Sequence, residues 1–161
     1  MQCSQLLLTM PHIHFRLHTA LAPQAVMGAL TDFGPGRADV WPNIDAAHFQ
    51  VHGQGPDWAD VTEGSSVAGG VWERSRYEWD AAAGRVSVVT ADSSTWGPGS
   101  RWDYQLTPTG DGGTDVDVRV ARIGRGLKGR LLGAVVGIVG TGRLRSDMEK
   151  VLSRVAAGNP A

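Results

Sequence analysis

Two carboxylates and two phenols sit in strand-like, largely apolar segments, where burial would give them chemistry. Glu73 and Tyr77 fall in the run Val71–Asp80, Asp92 in Arg85–Thr95, and Tyr104 in Arg101–Thr107. A carboxylate enclosed by apolar side chains has its pKa raised and can serve as an acid or a base. A phenol beside it can donate to a carbonyl. Glu73, Tyr77 and Asp92 are therefore the catalytic candidates. The other fate open to Glu73 is solvent or an arginine partner.

Other motifs carry less. Gly124-Arg125-Gly126-Leu127-Lys128-Gly129 matches G-x-G-x-x-G between a strand and a helix. No strand follows that helix, so no βαβ unit exists to hold a dinucleotide. His12, His14 and His18 share one strand face, and His48 and His52 another. They read as polar outer faces of sheet edges, which such groups protect from edge pairing. No cysteine cluster accompanies them, so neither a metal nor a cofactor is expected. There is no G-x-S-x-G elbow, and no basic patch with interleaved aromatics that would suit nucleic acid.

The elements that must position these groups are mostly strands. Ile13, Phe15, Leu17 and Thr19 alternate with histidines and an arginine, the period of a half-buried strand. Pro23 starts a short helix, Phe33-Gly34-Pro35-Gly36 stops it, and a second covers Ala38–Trp41. Phe49 and Val51 open the next strand. Further strands are predicted over Trp58–Thr62, Val71–Asp80, Arg85–Thr95, Arg101–Thr107 and Asp115–Ile123, joined by short glycine turns. A long helix spans Gly126–Ala157. The order predicts an α+β fold, with a curved seven-stranded antiparallel sheet wrapped around the C-terminal helix.

Strand parity selects the concave face. Val116, Val118 and Val120 oppose Asp115, Asp117 and Arg119, and Trp102, Tyr104 and Leu106 oppose Arg101, Asp103 and Gln105. Val71, Glu73, Ser75, Tyr77 and Trp79 share a face, taken as the inner one. Val86, Val88, Thr90 and Asp92 share another, on a strand whose two faces are less distinct. Trp41 closes the enclosure from the short helices. A mostly apolar enclosure with a few convergent polar groups describes a ligand site. The expected lining is Trp41, Val71, Glu73, Ser75, Tyr77, Val88, Thr90, Trp102, Tyr104 and Val118.

The long helix has two halves. Leu144, Met148, Val151, Leu152 and Val155 form a core stripe that should pin it to the sheet. In the first half, Gly129, Gly133 and Gly137 recur every four residues on one face, although each glycine costs about 1 kcal/mol relative to alanine. This half is expected over the cavity, with Gly133, Val136 and Gly137 toward the ligand. Close approach of a neighbouring backbone, or of a second helix in a dimer, is the open alternative.

Composition limits the partners. The chain has 161 residues, net charge −1 and one cysteine, Cys3. These suit a single domain over residues 10–157, after a disordered extension at 1–9 and before a tail at 158–161. No global field attracts nucleic acid or an anionic membrane. The N-terminal apolar run is too short for a signal peptide, and Leu131–Gly142 is far below the ~20 residues of a membrane span. A cytoplasmic monomer or homodimer is expected.

Trp41-Pro42, the segment Ala59–Gly64, the segment Val71–Trp79 and Gly113-Thr114-Asp115-Val116 resemble the START-like, or SRPBCC, superfamily with its helix-grip fold. Within it they look like bacterial proteins of the polyketide cyclase/dehydrase type. The resemblance covers roughly residues 10–157. It implies an elongated apolar cavity between sheet and C-terminal helix. It implies a carrier or sensor of a hydrophobic small molecule, lipid- or polyketide-like. The alternative is a cyclase or dehydrase promoting an aldol or dehydration step in the same cavity.

Overall fold

Alternation along β1 (His12–Thr19) sends Ile13, Phe15 and Leu17 into the core and the histidines outward. The computed structural model describes residues 12–66 and 70–158, apart from the side chains of Lys128 and Val136. The expected extension at 1–9 and tail positions 159–161 lie outside the described residues.

After β1 the chain forms α1 (Pro23–Thr31), with Pro23 in its first turn, where a missing N–H costs nothing. α2 (Arg37–Val40) follows, one residue earlier than the sequence suggests. A 3₁₀ turn at Ala46–His48 is capped by Asp45, which accepts from the His48 N–H at 3.0 Å. Six strands come next: β2 (Gln50–Gln54), β3 (Trp58–Ser65), β4 (Val71–Asp80), β5 (Arg85–Ser93), β6 (Arg101–Pro108) and β7 (Thr114–Ala121). α3 (Gly126–Ala156) ends the fold. The sheet is antiparallel, in the order β1-β7-β6-β5-β4-β3-β2. Among the described residues no helix is long and apolar enough to cross a membrane.

Register fixes which side chains meet. Phe15 stands opposite Val118, and Tyr104 opposite both Val118 and Val86. Gly84, at φ +66°, turns β4 into β5, and a Cβ there would meet the Leu106 carbonyl oxygen at 2.4 Å. The most consequential irregularity is in β5. Arg74 pairs with Asp92, but its neighbour Ser75 pairs with Thr90, so Ala91 is an extra residue. Such a bulge reverses the parity of everything beyond it. Thr90 and Ser93 therefore point inward, and Asp92 points out.

The second half of α3 anchors the helix, as its leucine stripe requires. Met148 and Leu152 join the main core with Leu30, Val116 and Val118, while Val151 packs with Ala29 and Val40. On the outer face of the sheet, charges pair with each other. Arg74 grips Asp60 through two bonds of 2.8 and 2.9 Å. His14 and Arg16 both reach Asp117, and His18 reaches Asp115 at 2.9 Å. Arg16, His18, Asp115 and Asp117 also line an open depression of about 1350 Å³, together with Trp58, Trp79 and Val86. Charged side chains make up much of its wall, and it is open to solvent.

Candidate functional site

A cavity of about 300 Å³ lies between the concave face of the sheet, the α2 region and the second half of α3. Trp41 and Ile44 wall it on one side. Val71, Glu73, Ser75, Tyr77, Val88, Trp102 and Tyr104 rise from the sheet, and Leu144 and Met148 cover it from α3. Its volume is at the lower end of small-molecule sites. Two arginine–glutamate pairs stand at its walls, each with a buried arginine and a partly buried glutamate.

The first pair is Arg37 with Glu63. Arg37 is 1% exposed and lies against the rings of Phe33, Trp41 and Tyr77, with its guanidinium 4.4 Å from the Phe33 centroid. Its Nε donates to Glu63, Nη1 to the Asp32 carbonyl at 2.9 Å, and Nη2 to the Tyr77 hydroxyl at 3.3 Å. Tyr77 in turn donates to Glu63 Oε2 at 2.6 Å. Burial opposes the charge on Arg37, but Glu63 and Tyr77 more than offset it and hold its pKa above the ordinary value. All three nitrogens of this guanidinium are engaged, so the group ties α2 to β3 and β4.

The second pair is Arg122 with Glu73. Arg122 follows β7 and lies between two indoles, 5.1 Å from Trp96 and 4.9 Å from Trp102. Its Nη1 donates to both Glu73 oxygens, at 2.8 and 3.0 Å. Thr90 also donates to Glu73, and Ser75 lies 3.4 Å from the same oxygen. Among the described residues, Nε and Nη2 of Arg122 and the Tyr104 hydroxyl have no hydrogen-bond partner. No described buried polar atom is left unpaired. Arg122 and Tyr104 are both among the residues that line the cavity. Trp102 and Tyr104 stack beside them, ring centroids 6.2 Å apart and planes within 7°.

Most of the expected lining residues come together here: Trp41, Val71, Glu73, Ser75, Tyr77, Val88, Trp102 and Tyr104. Thr90 is buried behind Glu73, and Val118 lies in the core beneath Tyr104. Asp92 is elsewhere. The β5 bulge turns it outward, where it pairs with Arg125 at 2.6 Å. The expected place of the cavity along α3 is also corrected. Leu144, Asp147 and Met148 of the anchoring half reach the cavity, and Gly133 and Gly137 do not line it. The side chain of Val136 lies outside the described residues. Gly129 meets backbone instead: a Cβ there would lie 2.6 Å from the Thr95 carbonyl oxygen and 3.0 Å from the Gly124 carbonyl carbon. The first glycine thus makes room for a neighbouring loop.

Arg37, Glu63 and Arg122 have no counterpart among the sequence candidates. Each is a lone charge in an ordinary pattern, and pairs joined 26 and 49 residues apart leave no local signal. Among the described residues no group of three or more His, Cys, Asp or Glu could hold a metal ion.

The two phenols allow a direct check of enclosure. Burial pushes both Tyr77 and Tyr104 well above the usual tyrosine range, and they are the only tyrosines of the chain. Their neutral forms stabilise the fold fully below about pH 10, and that stability is lost as pH rises further, because the unfolded chain ionises first. Absorbance at 295 nm should show no phenolate step near pH 10. The signal should appear only with cooperative unfolding at higher pH. A simple titration near 10 with the fold intact would mean that one ring reaches solvent.

The chain has the helix-grip fold of the START-like proteins. A structure from Thermus thermophilus superposes with TM-score 0.75 at 16% identity, covering 92% of this chain and 99% of that one. The Zhui aromatase/cyclase from Streptomyces sp. R1128 gives 0.72 at 16%, covering 94% and 99%. A START superfamily protein from Mycobacterium smegmatis gives 0.69 at 12%, covering 91% and 97%. No family model and no curated protein matches the sequence.

Proposed function

We propose that this chain binds a neutral, largely apolar small molecule, lipid- or polyketide-like, in the sheet–helix cavity, as a carrier or sensor. One observation carries the reading: the cavity is walled mostly by aromatic and aliphatic side chains, and each carboxylate in its walls already has a cationic partner, Glu63 with Arg37, Glu73 with Arg122 and Asp147 with Arg143 and Lys150. With each arginine–glutamate pair internally neutral, an acidic ligand would bring an uncompensated charge into an apolar site, which is costly. A neutral ligand with a carbonyl or hydroxyl oxygen matches the free N–H groups of Arg122 and the hydroxyl of Tyr104. The same pairing weighs against the cyclase reading. To abstract a proton, Glu73 would have to give up Arg122 and Thr90. A single cysteine supports a cytoplasmic setting.

Native mass spectrometry of the freshly purified chain should show a non-covalent adduct. In solution, the neutral probe 1-aminoanthracene should bind with a fluorescence rise. Ser75→Phe, which projects a ring into the cavity, should weaken the probe at least roughly tenfold while the protein stays folded. Unchanged affinity in folded Ser75→Phe would refute this site. Glu73→Gln separates the two readings: a carrier keeps its ligand, whereas a cyclase also keeps the ligand but loses turnover.

A further inference from the structure

The first half of α3 carries a separate apolar surface, on its solvent side. Leu127, Leu131, Val135 and Ile138 are 77%, 63%, 53% and 83% exposed, and Leu132 and Val139 are 41% and 60% exposed. At about 100° per residue these six fall within an arc of roughly 140°. Gly129, Gly133 and Gly140 are buried on the opposite side. A contiguous patch of this kind covers several hundred Å² and marks an interaction site.

Three observations point to its occupant. First, three of the arginines near the patch are spent within their own chain: Arg125 on Asp92, Arg143 on Asp147 at 3.4 Å, and Arg145 on Glu149 at 3.0 Å. An anionic lipid surface draws on cations that are free. An apolar centre inside a polar rim whose charges are largely paired is instead the anatomy of a protein interface. Second, several hundred Å² approaches the ~800 Å² that each partner of a stable pair contributes. Third, the helix is self-complementary. An antiparallel pairing centred on Val135 sets Leu131 opposite Val139 and Leu132 opposite Ile138, so each of these two leucines meets a β-branched residue, while Leu127 faces Arg143 at either end of the seam. The exposed Arg130 lies outside the arc, and Lys128, whose helix position falls within it, is set opposite Gly142 rather than opposite another cation.

We infer that this face packs against the same face of a second copy, about a twofold axis near Val135. The inference does not depend on what the cavity holds. Sedimentation velocity on the full chain should give twice the 17.1 kDa chain mass across the micromolar range. Ile138→Glu, at the most exposed position of the patch, should weaken the dimer roughly 100-fold and sediment as a monomer with its far-ultraviolet circular dichroism retained. Val135→Cys in a Cys3→Ser background should cross-link two chains on mild oxidation. A wild-type monomer throughout that range would overturn the inference. So would a dimer that Ile138→Glu leaves intact, or an absence of cross-linking. Co-sedimentation with phosphatidylcholine–phosphatidylglycerol vesicles that Ile138→Glu abolishes would assign the face to a lipid surface instead.

Discussion

Arg37→Met should cost this protein about 3–5 kcal/mol, the penalty for stripping the partner from a buried charge. In a chain of this length that lowers the thermal midpoint by roughly 10 °C. The loss is more than one ion pair. Glu63 is left with only the Tyr77 hydroxyl, and the carbonyl of Asp32 loses its donor. Methionine fills part of the space against Phe33 and Trp41, so the cost is electrostatic rather than a packing void. The double variant Arg37→Met/Glu63→Leu removes both charges and should recover most of the stability, since a buried pair is often replaceable by apolar groups of similar size. A urea titration of the wild type, both single variants and the double variant gives the coupling. If Arg37→Met costs less than about 1 kcal/mol, the pair is not buried as described.

The second large effect is a reversal of sign between two glycines of the same helix. Gly142→Ala should stabilise the protein by about 0.5–1 kcal/mol, because alanine is the better helix former and a Cβ there meets nothing within 4 Å. Gly129→Ala gains the same propensity but drives a methyl into the Thr95 carbonyl oxygen at 2.6 Å and the backbone of Gly124. Both obstacles are main chain and cannot rotate away. Overpacking of this kind costs about 1–3 kcal/mol, so the net change should be destabilising. The bridge between Trp96 and Gly124 holds that loop beside the helix start, and Trp96 lines the cavity against Arg122. Gly129→Ala should therefore perturb the Arg122 end of the cavity as well. Equal gains from both substitutions in thermal melts would show that the helix does not press on the loop.

Local patterning accounted for most of the framework. Period-two alternation chose the inward faces of β1, β6 and β7, because a half-buried strand must separate apolar from charged side chains. It also put Glu73, Ser75 and Tyr77 on one inner face of β4, and the leucine stripe identified the anchoring half of α3. The resemblance carried by Trp41-Pro42 and the segments around Glu63 and Tyr77 fits the fold. What alternation could not carry was the change of phase in β5. One extra residue at Ala91 exchanges Asp92 for Ser93 on the inner face, and nothing in Arg85–Ser93 announces it, since the bulge is set by pairing with β4.

The sequence by itself determined an antiparallel sheet gripping a helix, and the aromatic and aliphatic lining of one face. Those follow from periodicities that each segment carries alone. Only the tertiary structure decided the polar chemistry of the cavity. Arg37 and Arg122 read locally as surface charges, and they are buried because Glu63 and Glu73 arrive from other strands to neutralise them. Only the tertiary structure, likewise, decided what the glycine-rich half of α3 does. Gly129 is small because the Thr95–Gly124 backbone must pass against it, and the apolar arc opposite is left facing outward. In both cases the deciding partner lies far along the chain, where no local pattern reaches.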